Sequence, residues 1–182
     1  MLRRTVQNLL FLVPLAIWTG AAVGLTFLTT PAIFAALDRD TASRLVSQLF
    51  PGYFRLGLLC LSLALVAAVA MVWPARPRRW WLTPVLLLGA LSLMLVAGLV
   101  LEPRVAAVQA QIPSFITDTD SLARREFRTL HSLSSILNVV VMLLTAAVWV
   151  ATALDPRPLL GGASRATTTQ PAGALMHDDV TA

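Results

Sequence analysis

A chain of 182 residues with 57% hydrophobic and only 13% charged residues, and a mean hydropathy of +0.77, carries more apolar surface than one soluble core of this size can hide. A membrane is therefore its expected solvent, and four spans of roughly 20 residues each leave no room for a separate soluble catalytic domain. The net charge of +5 comes from 14 basic residues, all arginine. They are scattered near the ends of apolar runs and form no stripe, which argues against a nucleic-acid binder.

In chain order, the charge-free stretch from Leu9 to Thr29 is the first span. A signal peptide would share its basic start, but its apolar region would end after about 7 to 15 residues. The next segment, DRDTASRLVSQLF, has apolar residues at helical spacing. It is expected to be a short interfacial helix capped by Asp40 or Thr41 and stopped by Pro51 and Gly52. Arg55 and Arg76 bracket the second span, Arg79 and Glu102 the third, and Arg128 and Asp155 the fourth. Between the last two, EPRVAAVQAQI reads as a second short helix, with Pro103 kinking the exit from span three and Pro113 ending the segment. Asp120 is expected to cap the helix that runs through SLARREF into span four. The expected architecture is all-α: a four-transmembrane-helix bundle over residues 1–154, with spans at about 9–29, 55–74, 81–101 and 130–153 and short interfacial helices between spans one and two and spans three and four. The Gly, Pro, Thr and Asp composition of residues 155–182 predicts a disordered polar tail.

Trp73, Trp80, Trp81 and Trp149 fall on one side of such a bundle as an aromatic belt, and Phe50, Tyr53 and Phe54 mark the other. Arginines divide evenly, seven to each side. Those on the terminal side crowd into very short segments beside helix ends, so the expected setting is the cell membrane with cytoplasmic termini. The all-arginine usage fits a GC-rich bacterial genome.

Span four holds the most informative pattern. His131, Ser135, Asn138, Met142 and Thr145 recur at steps of four, three, four and three, one stripe on one helix face. Hydrocarbon solvates neither imidazole nor amide, so the stripe is expected to face other helices or a cavity, as hydrogen-bonding glue or as a functional route. Near its His131 end an up-down bundle brings Thr29, Thr30, Arg55, Glu102 and Arg104, a charged vestibule in which Arg55 could pair with Glu102, or in which each charge simply snorkels to the interface. About 10 Å deeper lie Cys60 and Met94, with Met142 a turn further in, a layer that could hold a soft metal ion or merely pack. Gly20 and Gly24 have the spacing that lets helices approach closely, within the bundle or in a homodimer. No phosphate loop, nucleophile elbow or paired intramembrane carboxylates are present, so no enzyme activity and no resident cofactor are expected. An axial haem-type role for His131 would need a second copy.

The ordered landmarks PAIFAAL, LFPGYF, EPRVAAV and FRTLHSLSSILN resemble the transmembrane protein 205-like family, also described as domain of unknown function 4149. The resemblance covers roughly Leu9 to Ala153 and rests on Pro31, Phe34, Phe50, Pro51, Tyr53, Phe54, Pro103, Phe127, His131 and Asn138. It implies a compact four-helix membrane protein without an established catalytic role. Some eukaryotic members are associated with resistance to platinum drugs, which implies efflux of a soft metal or metal complex as a theme. The leading expectation is small-solute or ion transport along the span-four face. Its rival is a non-transporting accessory or structural protein that binds another membrane protein.

Overall fold

The computed structural model describes residues 2–73, 81–118 and 120–154. The tail at 155–182 and residues 74–80 of the turn between spans two and three, Trp80 among them, lie outside these. Six α-helices run in the order α1 (Leu2–Val23), α2 (Thr30–Ala36), α3 (Arg39–Val72), α4 (Leu82–Val96), α5 (Glu102–Gln109) and α6 (Leu122–Leu154). Widened turns at Gly24–Thr29 and Ala97–Leu101 join α1 to α2 and α4 to α5. The result is four continuous rods, each long and apolar enough to cross a membrane, over Thr5–Ala36, Arg39–Val72, Leu82–Gln109 and Leu122–Leu154. Among the described residues there is no strand.

The two interfacial segments are helical but fused to their spans. The first begins at an Asp38 cap, whose carboxylate accepts from the N–H groups of Asp40 (3.1 Å) and Thr41 (3.0 Å), so neither Asp40 nor Thr41 is the cap. It then runs through Pro51 and Gly52 without stopping. Proline removes one N–H and frees the carbonyl four residues back, here Ser47. Ser47 lines a cavity between the rods, and a membrane helix tolerates the loss where the freed group faces a cavity. Asp120 likewise is not the cap of α6. Ser121 takes the Arg124 N–H on its hydroxyl (3.1 Å), while Asp120 pairs with Arg125 (2.6 Å).

Pro31 and Pro103 explain the widened turns. Each would clash with the carbonyl four residues back, and a one-residue expansion relieves that clash. Accordingly Thr30 N–H donates to the Leu25 carbonyl and Glu102 N–H to the Ala97 carbonyl, five residues back in both cases. The described residues thus form two units of like order: a rod widened just before a proline, followed by a long rod whose start is capped by a side chain, Asp38 in α3 and Ser121 in α6. Within each unit the rods pack together, α1 on α3 and α4 on α6, and α3 meets α4 between the units.

Packing is that of a membrane protein. Ala22, Ala64, Ala67, Ala68, Ala90 and Ala97 are buried with Leu15, Trp18, Leu61, Leu87 and Met94, whereas Leu9, Phe27, Leu28, Leu59, Val66, Val85, Leu99 and Leu143 are exposed on the outside. Small residues inside and large aliphatic residues outside suit a lipid solvent, where close backbone approach drives association. Gly57 and Gly98 are the points of closest approach. A Cβ at the first would lie 2.7 Å from the Trp18 ring, and at the second 3.1 Å from Phe54. Gly20 and Gly24 do not serve this role inside the bundle, because nothing lies within 4 Å of a Cβ built on either.

The N–H groups of Thr41 and Asp40, with Arg44 nearby, hold the Asp38 carboxyl below its ordinary value of 3.8. A carboxylate whose pKa is depressed by folding adds stability above its unfolded pKa, and loses it as the pH falls through the folded one. The start of α3 is therefore expected to loosen below about pH 4. Hydrogen exchange of Thr41 and its neighbours at pH 3 and pH 6 checks this. An Asp38→Asn chain, which keeps an acceptor but not the charge, should show little change between the two.

Candidate functional site

The polar stripe of α6 runs from an exposed end to a buried one: His131 and Ser135 are exposed, Asn138 and Met142 half-buried and Thr145 buried. Thr145 is buried and turns back on its own helix, donating to the carbonyls of Val141 (3.1 Å) and Met142 (2.9 Å). Ser135 donates to the His131 carbonyl (2.8 Å), also within the helix. Asn138 alone among the five crosses to other rods by a side-chain hydrogen bond. Its carbonyl oxygen accepts from the Tyr53 hydroxyl of α3 at 2.5 Å, and its amide nitrogen points at Thr26 Oγ1 of the first rod (3.4 Å) and at Met142 Sδ (3.8 Å). His131 stacks face to face on Phe127 one turn earlier, with centroids 5.5 Å apart.

Above Asn138 a cavity of about 210 Å³ opens between the rods. Thr26 and Thr30, Ser47 and Phe50, Glu102 and Gln109, and His131, Ser134 and Ser135 surround it, and Tyr53 and Asn138 are its deepest polar pair. It lies at the end of the bundle where α3 and α6 begin, and His131 and Asn138 are about 10 Å apart along the axis. Both widened turns reach it: Leu25 and Thr26 belong to one, and Glu102 follows the other. A helix that drops to wider pitch turns its carbonyls and side chains out of register, a feature frequent at functional sites.

Below the Tyr53–Asn138–Thr26 bridge the bundle is closed. Trp18 packs on Tyr53 with centroids 5.0 Å apart, and Leu61, Met94, Val141 and Val148 fill the next layer without exposure. The Trp18 indole N–H is buried and has no hydrogen-bond partner among the described residues, a cost of about 1–3 kcal/mol. One turn toward the terminal end, Trp149 donates to Thr19 Oγ1 (3.0 Å) and so ties α6 to α1 instead of serving only as an interface anchor.

The vestibule charges separate. Glu102 lines the cavity, whereas Arg55 and Arg104 are exposed and do not. No ion pair joins Arg55 to Glu102. Tyr53 and Phe54 occupy the inward face of α3, and the next residue, 100° further round, points out. The soft layer also disperses. Met94 packs its methyl against Gly57, Met142 sits under Asn138, and none of Cys60, Met94 and Met142 lines the cavity. Among the described residues no group of three or more His, Cys, Asp or Glu side chains converges as a metal site.

Tyr53 and Thr26 are the site residues that sequence reasoning missed. Tyr53 stood out only as an interfacial aromatic and a family landmark. Its place seven residues before the buried Cys60, on the same face of α3, was the available signal.

Comparison with known proteins places residues 13–114 in the family described as domain of unknown function (DUF4149). The match contains Pro31, Phe34, Phe50, Pro51, Tyr53, Phe54 and Pro103, along with Thr26 and Glu102, and ends before α6, so Phe127, His131 and Asn138 lie outside it. No curated protein and no solved structure matches the chain. The family match spans more than half of the sequence, and this four-rod membrane-type bundle belongs to the DUF4149 family.

Proposed function

We propose that this protein handles a small solute in the membrane: it takes the solute into the one-sided cavity and passes it toward the terminal end when the Tyr53–Asn138–Thr26 bridge opens. The observation that carries this reading is a cavity of about 210 Å³ that ends on a hydrogen-bonded floor drawn from three different rods. Polar groups at membrane depth are costly, and they concentrate where a route or a ligand uses them. The orphan Trp18 donor under the floor is the next polar group that such a solute would meet. The lining favours a small molecule with hydrogen-bonding groups and some apolar surface. Glu102 supplies the one carboxylate in the cavity's lining and has no hydrogen bond to His131 among the described residues. We therefore read the chain as non-catalytic, set in the cell membrane with cytoplasmic termini.

Soft-metal efflux, which the resemblance to the transmembrane protein 205-like proteins suggests, draws less support, because oxygen and nitrogen donors line the cavity and the thiol and thioethers do not. A second reading, an accessory protein that packs against another helix, is favoured by the bare Gly20 and Gly24 face.

Swelling of proteoliposomes in glycerol, urea and methylammonium tests the proposal. Flux of at least one solute above protein-free vesicles is expected, changed several-fold by Tyr53→Phe. Vesicles that stay as tight as protein-free ones for every solute would overturn it.

A further inference from the structure

A second recess, of about 290 Å³, adjoins the mouth of the cavity. Arg39 from the start of α3 lines it, together with Arg124, Arg128 and His131 of α6. The three α6 residues stand at i, i+4 and i+7, one stripe on one face. No aspartate or glutamate lines this recess. Arg124 lies over the Phe115 ring at 4.4 Å, and Phe115 is itself pinned by its N–H to Asp40, whose other oxygen accepts from Ser114 (2.7 Å). The carboxylate of Asp40 is thereby used on the loop and not on the arginines. Asp118, near Arg124, is engaged by Ser121. Neither Arg39 nor Arg128 has a carboxylate partner among the described residues.

Arginines that merely snorkel from separate helices have no reason to converge. Asp118 offsets part of the Arg124 charge, while Arg39, Arg128 and His131 meet in a recess with no carboxylate in its lining, a setting that favours an anion. Hydroxyl and amide groups of Thr30, Ser43, Ser47 and Gln109 complete the wall, and Phe34 and Phe50 supply apolar surface beside it. Guanidinium groups match the geometry of phosphate oxygens and can bind them in a bidentate fashion.

We propose that this recess binds a phosphate group, either the phosphodiester of an anionic lipid or free phosphate. The site is distinct from the deep end of the cavity and does not depend on a solute being carried there.

The test uses the full chain in mild detergent. Thermal unfolding and native mass spectrometry are followed during titration with phosphatidylglycerol, with phosphatidylcholine and, separately, with inorganic phosphate. Phosphatidylglycerol is expected to bind more tightly than phosphatidylcholine, and Arg39→Gln and Arg128→Gln should each weaken it by about fivefold, equivalent to about 1 kcal/mol per charge, without lowering the melting temperature of the lipid-free protein. Retention of phosphatidylglycerol against excess inorganic phosphate assigns a lipid source. Stabilisation by inorganic phosphate that the double variant loses assigns a soluble one. The proposal is overturned if the two lipids bind equally and phosphate has no effect, or if the Arg39→Gln/Arg128→Gln chain keeps the full preference.

Discussion

Replacing Asn138 by leucine is expected to lower the unfolding free energy by about 2 kcal/mol and to uncouple the floor of the cavity. The change removes the acceptor of the Tyr53 hydroxyl and the donor to Thr26 together. A buried hydroxyl left without a partner costs about 1–3 kcal/mol, while hydrogen bonds between membrane helices average about 0.6 kcal/mol because the unfolded chain also finds partners. The larger figure should prevail, since Tyr53 is buried and its ring is held by packing on Trp18 and Phe54. Tyr53→Phe removes the donor instead, leaves Asn138 with Thr26, and should cost about 1 kcal/mol. A double-mutant cycle of the two, read by thermal unfolding in detergent, is expected to give a coupling near 1 kcal/mol. Additive effects would mean that the 2.5 Å contact contributes nothing to the fold.

The second large effect lies at Gly57. An alanine methyl there would sit 2.7 Å from Trp18 Cζ3 and 3.0 Å from the Met94 terminal methyl. Met94 is flexible and can retreat. Trp18 is fully buried between α1 and α3 and cannot do so without moving a rod. Overpacking of this kind costs about 1–3 kcal/mol, and Gly57→Leu should fail to assemble. Gly20→Ala provides the contrast, because its methyl meets nothing and removes a flexible residue from a helix, a gain of about 0.5–1 kcal/mol for a monomer. If Gly20→Ala instead lowers stability or shifts the native mass of the detergent-solubilised protein, the bare face of α1 is a contact with a second copy, and the accessory reading gains.

The class of the fold was legible because hydropathy is a local quantity. Charge-free runs bracketed by arginine or acid identify spans wherever they occur, and the rods fall where those runs lie. Helix boundaries were legible only in part. Pro51 with Gly52 reads as a stop in isolation, yet α3 passes through, and Ser47, four residues before Pro51, lines a cavity formed with other rods. Pro103 reads as a kink, and the chain meets both it and Pro31 with a widened turn that lets the rod continue. The acidic side chains near helix starts show the same limit. Asp38, Asp40, Asp118 and Asp120 look equivalent on paper. The first caps α3, the second pins the α5–α6 loop, the third binds Ser121 and the fourth pairs with Arg125.

For the candidate site, periodicity alone showed that one face of span four must turn inward, since burial of polar groups is demanded by the solvent and not by the partner. Tertiary structure decided which member of that face matters. Thr145 and Ser135 satisfy themselves on their own helix, as short hydroxyl side chains can. An amide has two ends and needs neighbours, and Asn138 finds Tyr53 and Thr26 from rods distant in sequence. Charge pairing was equally undecidable from sequence, because one residue of rotation turns Arg55 to the outside while Glu102 lines the cavity. The sequence by itself determined that four helices are long and apolar enough to cross a membrane and that one of them carries a polar stripe. Their rotations and relative heights, set by the closeness of Gly57 to Trp18 and of Gly98 to Phe54, determined the floor, the cavity and the arginine-lined recess beside it.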